Sequence, residues 1–460
     1  MKKLALLGLG VLSLQASALK DIVENASVDG YARVEYIYTD GRDGYGQGFR
    51  AFFRPNVTTG EVKGFSFTGG LFFSKGSAAP DGNQIADFIG GSRSFDVKNN
   101  KAIDVFSVSN LYVTKKFDSA KTTIRAGIMQ IETPLNSPSG SYGDRGMGAF
   151  IKNNSVTGME FFIGTWGSWM TDNVALQTYG LRSISDFGIG NELTIVGAKG
   201  NFESVGLKDL TATLYYAYAD RLFDMMLFGE LGYQFNFENN AYVKIMAQAA
   251  GTIMASNPHF FGQGASSPLY NYFVEADKID QGYARNRGVY NIQLSWGVKN
   301  YTGNLGYLGS FAQGYGAMLD SGGDLKVGGT LWNTLVAGGV PGFGWTGSGA
   351  YKGTDIIVAY TTHTYKLDNW TFGLGLTYVG GNNRLPQMSK GSNRIKGTTA
   401  DRGGATVGKA SNLTMDADIF EISPSISYQF TKSLSANIAF SQIVGDMIVN
   451  RTKVTVMYKF

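Results

Sequence analysis

Few side chains in this sequence could perform covalent chemistry. There are 2 histidines, His259 and His363, and 0 cysteines. A hydrolase needs an imidazole as general base, beside a serine nucleophile or a paired acid. His259 lies in Asn257-Pro258-His259-Phe260, within a long loop, and His363 in Thr361-Thr362-His363-Thr364, close to an expected turn. Neither belongs to such a constellation, so both read as ordinary polar residues and no enzyme is expected. Without thiolates or clustered imidazoles, a soft-ligand metal centre is not expected either.

The more specific signal is charge at alternating positions. Arg33, Arg50, Arg54 and Arg125 fall on the polar rows of segments that alternate apolar and polar residues, and Arg451 and Lys453 do so at the far end of the chain. A stiff segment with two prolines, Glu132-Thr133-Pro134 through Asp144-Arg145, follows the Arg125 segment and offers Glu132 and Asp144 as opposing charges. A basic wall facing an acidic loop would set a transverse field across a narrow channel, filtering ions and orienting polar solutes. Asp29, Glu35 and Glu160 share the polar rows and would neutralise part of the wall. The alternative is that these charges only solvate a wide lumen and pair with their neighbours, so counting them does not fix the sign of selectivity.

Such rows require strands to carry them, and the last eight residues show the pattern most plainly. In Lys453-Val454-Thr455-Val456-Met457-Tyr458-Lys459-Phe460 the residues Val454, Val456, Tyr458 and Phe460 share one face. An apolar face ending in a terminal aromatic is how outer-membrane barrels usually close, and Phe460 is the expected signal to the barrel-assembly machinery. The alternation recurs in the first strand (Val28, Gly30, Ala32, Val34, Tyr36, Tyr38), and again at Leu210–Tyr218, Leu227–Phe235, Trp370–Tyr378 and Ile422–Phe430. Aromatics gather at strand ends, as interfacial girdles require.

Short polar turns alternate with long segments at 75–103, 167–190, 252–286, 313–353 and 380–412. Loops this long are uncommon in compact soluble domains but belong on a barrel rim. The expected fold is therefore all-β: an antiparallel transmembrane β-barrel of about 18 strands, with its third extracellular loop folded into the pore. The segments 143–152 and 303–310 are the weakest strands, which leaves 16 open.

Composition agrees. Charged residues make up 17% and aromatics 13%, with 63 Gly against 9 Pro. Residues 1–18 read as a signal peptide, with Lys2 and Lys3, an apolar core from Leu4 to Leu14, and a small-residue cleavage site at Ala16-Ser17-Ala18. Residues 19–460 then form a single barrel domain in the bacterial outer membrane. Losing Lys2 and Lys3 lowers the formal charge of +4 by two, so nucleic-acid binding is not expected.

The chain resembles the Campylobacter-type major outer membrane protein (MOMP) porins. The matching pieces are Asp21-Ile22-Val23-Glu24-Asn25-Ala26-Ser27-Val28-Asp29-Gly30-Tyr31-Ala32-Arg33, Asn110-Leu111-Tyr112-Val113-Thr114, Ile124-Arg125-Ala126-Gly127-Ile128-Met129-Gln130, Lys152 to Met159, and the closing Met457-Tyr458-Lys459-Phe460. The resemblance implies a homotrimeric porin of about eighteen strands that passes ions and small hydrophilic solutes. It also implies acidic residues in and after the third loop that can hold a divalent cation such as calcium, here Asp144 and Asp172.

The expected function is an outer-membrane porin for passive diffusion, partnered by the lipid bilayer and by small ions and solutes. Two alternatives stay open. A substrate-selective channel would use the basic residues as a ladder for an anion, and an adhesin would place its specificity in loops such as 380–412.

Overall fold

In a computed structural model, the described residues are 21–41, 44–78, 94–96, 101–103, 107–136, 144–170, 192–220, 222–256, 284–319, 323–332, 343–345, 348–388, 395–396 and 413–460. The expected signal peptide at 1–18 lies outside them, as does Asp172.

Eighteen strands form one sheet in which each pairs antiparallel with its sequence neighbours and the last returns to the first. They are β1 (Ser27–Gly41), β2 (Gly44–Thr58), β3 (Phe65–Ala78), β4 (Ser107–Phe117), β5 (Thr122–Gln130), β6 (Arg145–Asn153), β7 (Met159–Met170), β8 (Leu193–Phe202) and β9 (Leu207–Ala219). The second half comprises β10 (Phe223–Asn236), β11 (Tyr242–Met254), β12 (Asn286–Val298), β13 (Tyr301–Ala312), β14 (Ile357–Leu367), β15 (Trp370–Gly380), β16 (Ile419–Gln429), β17 (Leu434–Gly445) and β18 (Val449–Lys459). The two weakest segments, β6 and β13, are both paired on each side, which settles the count at 18. Short strand pieces at 94–96 and 101–103, and at 384–388, 395–396 and 413–415, stand outside the barrel sheet.

Closure runs from Tyr31↔Lys459 to Gly41↔Val449. Beyond it Gly30 and Phe460 exchange backbone hydrogen bonds of 3.0 and 3.2 Å, so the terminal residue completes the ladder. A closed sheet leaves no unpaired edge, which is the condition for placing strands in hydrocarbon.

The alternation sorts as expected. Leu231, Ile292 and Leu305 are each more than half exposed on the outer face, while Phe52, Phe228 and Glu35 are buried inside. This is a soluble fold turned inside out: an apolar belt outside and the polar row within. Tight turns at 299–300 and 368–369 put Lys299 (φ 52) and Asp368 (φ 49) in the left-handed region, the conformation that reverses a chain in two residues.

Two loops fill part of the interior. The segment 131–144, between β5 and β6, is the loop expected to fold inward, and Ile131, Leu135 and Asn136 are fully buried in it. The segment 313–353, within the connection 313–356 between β13 and β14, was expected at the rim. Its described residues instead pack inside: Tyr315, Ala317, Met318, Leu331, Trp332 and Phe343 are at 0% exposure. The physical reason is its composition, since a loop rich in aromatics and leucines gains by leaving water.

Candidate functional site

The wall from β1 to β8, joined by β18, carries the basic residues. On β1, Arg33 lies over the Phe52 ring at 4.4 Å and 3.4 Å from Glu35. Glu35 is buried at 1% exposure and also accepts Lys453 at 2.8 Å from β18. The neighbouring Arg451 donates its Nε to Thr39 at 3.0 Å. One buried carboxylate thus gathers cations from the first and last strands across the seam.

Arg54 follows on β2, where its guanidinium donates to Gln130 at 2.8 Å. Arg125 on β5 lies 4.3 Å from the Tyr112 centroid and 5.2 Å from that of Phe150. Neither pairs with a carboxylate among the described residues. Aromatic faces carry a negative quadrupole, so they hold a guanidinium without cancelling its charge. Arg50 stands opposite Glu35 in register, and its side chain lies outside the described residues.

Glu160 on β7 sits between Lys152 at 3.9 Å and Lys199 at 3.5 Å. Beneath these charges runs an aromatic floor. Phe150 and Phe162 are 5.6 Å apart, and Phe162 and Trp166 are 6.3 Å apart and stacked. The Trp166 ring lies against Gly146 and Gly164, where a Cβ would come within 2.4 and 2.5 Å of it. Glycine on these strands makes room for a neighbour's ring, which accounts for part of the high glycine content.

The two acids of the third loop differ in setting. Glu132 is exposed, whereas Asp144 is completely buried and accepts the side-chain amide of Asn136 at 2.9 Å. Asn136 also donates to the Ile131 carbonyl at 2.6 Å and accepts from the Thr133 hydroxyl at 2.6 Å. Asp144 is therefore a member of the loop's own hydrogen-bond hub. The adjacent Arg145 is buried and donates to the Ser109 carbonyl and, at 3.0 Å, to Asn110. No group of three or more acidic or imidazole side chains is placed to hold a metal ion among the described residues.

The long inward loop is tied to the third loop. It meets the third loop through Leu319 N–H to Leu135 carbonyl at 2.9 Å and Asp324 N–H to Pro134 carbonyl at 2.9 Å. On the wall from β11 to β16, Gln248 donates to the Asp324 carbonyl at 3.0 Å and accepts the Lys326 N–H at 2.8 Å. Thr252 donates to the Ala317 carbonyl at 2.8 Å, and the Tyr360 hydroxyl to the Lys326 carbonyl at 3.2 Å. The wall beneath the loop is dry: Gln248, Asn291, Arg287 and Glu421 are all at 3% exposure or less. On the basic wall Arg145 and Glu35 are buried too, but the Lys199 side chain is 49% and the Lys453 side chain 37% exposed.

Sequence reasoning named Arg33, Arg54, Arg125, Glu160, Arg451 and Lys453 for this wall, and the structure brings them to one side of the lumen. It did not single out Arg145, Lys152 or Lys199. Lys152 and Lys199 carry a findable signal, since each lies on the polar row of its strand in line with Glu160.

No protein-family model and no curated protein matches the chain. Solved structures do match. OccAB2 of Acinetobacter baumannii aligns with TM-score 0.63 and 12% identity, covering 96% of this chain and 99% of that one. OccAB1 of the same organism gives TM-score 0.61 and 15% identity, covering 96% and 98%. Pseudomonas aeruginosa OpdK, solved with vanillate, gives TM-score 0.61 and 11% identity, covering 95% and 99%. Over nearly its whole length, this chain has the fold of the 18-stranded OprD/Occ-type outer-membrane porins.

Proposed function

We propose that this protein is an outer-membrane porin, a water-filled channel for passive passage of ions and small hydrophilic solutes. The observation that carries the reading is the asymmetry of the lumen. The inner surface from β11 to β16 is met by the described residues of the loop 313–356, while Lys199 on β8 and Lys453 on β18 keep exposed side chains. Solutes then travel along the basic side. An apolar outer belt around a lumen lined with charged side chains fits a conduit through a bilayer.

A second reading, selectivity for anions, is favoured by Arg54 and Arg125. Both project charge that no described carboxylate neutralises. Carboxylate-bearing solutes suit such a wall because a guanidinium binds them through two parallel N–H donors. OpdK is described with vanillate, itself a carboxylate, and shares this fold.

The Campylobacter-type resemblance adds a homotrimer and a divalent cation at Asp144 and Asp172 to this proposal. A trimer would be seen as a threefold mass in native electrophoresis, and a bound cation as a fall in the unfolding temperature on adding EDTA.

Reconstitution in planar bilayers tests the channel itself. Discrete conductance steps with a reversal potential on the anion side of a salt gradient are expected. A silent bilayer containing folded protein would refute the channel, and a cation-side potential would refute the anion preference.

A further inference from the structure

Glu421 on β16 points inward and is 1% exposed, yet no cation neutralises it in any described contact. Its carboxylate is held by backbone instead. Thr330 and Leu331 donate their N–H groups to Oε1 at 2.7 and 2.9 Å, and Trp332 donates to Oε2 at 2.7 Å. The Ser423 hydroxyl donates to Oε1 as well. Consecutive N–H groups converging on one anion form a nest like the first turn of a helix, where negative charge is favoured.

The local sequence is built to present that nest. Gly328 (φ 63) and Gly329 (φ 69) are consecutive left-handed residues, which turn the chain sharply just before Thr330. Gly328 lies against the Tyr360 ring, where a Cβ would come within 2.3 Å, and Trp332 Nε1 donates to the Gly328 carbonyl at 3.2 Å. On the other limb, buried Arg287 of β12 donates to the carbonyls of Gly316 and Trp345. Two buried ions of opposite sign thus hold the loop through its backbone, Glu421 at 330–332 and Arg287 at Gly316 and Trp345.

We infer that Glu421 is a positioning residue for the pore: its carboxylate pins residues 328–332 to the wall and thereby sets the bore left beside the basic side. The inference rests on the channel reading, because a pinned loop matters to function only if solutes pass it. A buried carboxylate is tolerated only while hydrogen-bonded, so the pin and the ion hold each other in place. The β16 strand itself needs no such residue, since it is paired along both edges.

The absence of cysteine from the chain gives a clean background for the test. Leu331 is fully buried beside the nest, so Leu331→Cys is a reporter of loop release. Labelling by a membrane-impermeant maleimide is followed in detergent-solubilised folded protein, with and without Glu421→Ala. Losing charge-assisted bonds should speed labelling by about tenfold or more. Glu421→Gln keeps the volume and one acceptor oxygen, so it should fall between the two.

In bilayers, unitary conductance of Glu421→Ala should rise by about twofold as the narrowing relaxes, with the barrel's heat-modifiable migration unchanged. Equal labelling rates in all three proteins would overturn the inference while leaving the channel intact. Faster labelling with no conductance in any protein would instead sink the channel reading. Should Glu421→Ala fail to reach the heat-modifiable form, Glu421→Gln decides, and a wild-type labelling rate there refutes the pin.

Discussion

Arg54 and Arg125 show how a lumen can keep charge in reserve. Each guanidinium is held by a neutral partner, an amide for one and two aromatic faces for the other, so its field still reaches passing solutes. Arg54→Ala combined with Arg125→Ala should shift the reversal potential toward cations, and more strongly at low salt. The Debye length is about 8 Å at 0.15 M and about 30 Å at 0.01 M. An unchanged potential at the lower salt would rule out their part in selectivity. The acids of the third loop should separate in the same kind of assay. Exposed Glu132→Ala is expected to change selectivity without loss of stability. Asp144→Ala removes a buried acceptor of Asn136 and should cost about 1 to 3 kcal/mol, read as a lower temperature of heat-modified migration. The inward side of Arg54 and Arg125 was visible in the sequence because a period of two assigns every strand residue to a side. The burial of Asp144 was not, because a loop has no such period, and contacts such as that with Asn136 bury it.

Among the strands, the outward and inward rows were legible in β1, β9, β10, β15, β16 and β18, including Phe460. The Phe460 ring packs 5.9 Å from Phe53 and 6.1 Å from Tyr458 on the outer face, whereas Lys459 pairs with Tyr31 on the inner row. Phe460→Asp should therefore lower the level of assembled barrel well below that of Lys459→Asp. Equal membrane levels of the two variants would contradict this assignment of faces. The loop between β13 and β14 was misplaced for an instructive reason. Length and glycine content alone sent it to the rim, but Leu325, Leu331, Trp332, Phe343 and Trp345 are the residues of a core. The neighbouring long segment 380–412 has no comparable set of large apolar residues, and that contrast was present in the sequence all along.

As a whole molecule, a barrel with its apolar face outward has no stable soluble form. The protein should fractionate with membranes and run faster in unboiled SDS than after boiling, because closed strand pairing resists mild detergent. Recovery in the soluble fraction with native mobility would contradict the architecture. Closure also imposes an order in time. The bond from Arg451 to Thr39 joins residues separated by 412 positions, and every contact between β1 and β18 has similar reach. The first strand is synthesised long before its partner exists, so until translation ends it presents a bare hydrogen-bonding edge to any passing chain. The entropy of bringing such distant ends together grows only slowly with chain length, so delay and exposure are the larger hazards. An export route for this chain must therefore keep the nascent polypeptide apart from its own copies, and shield β1 longest of all.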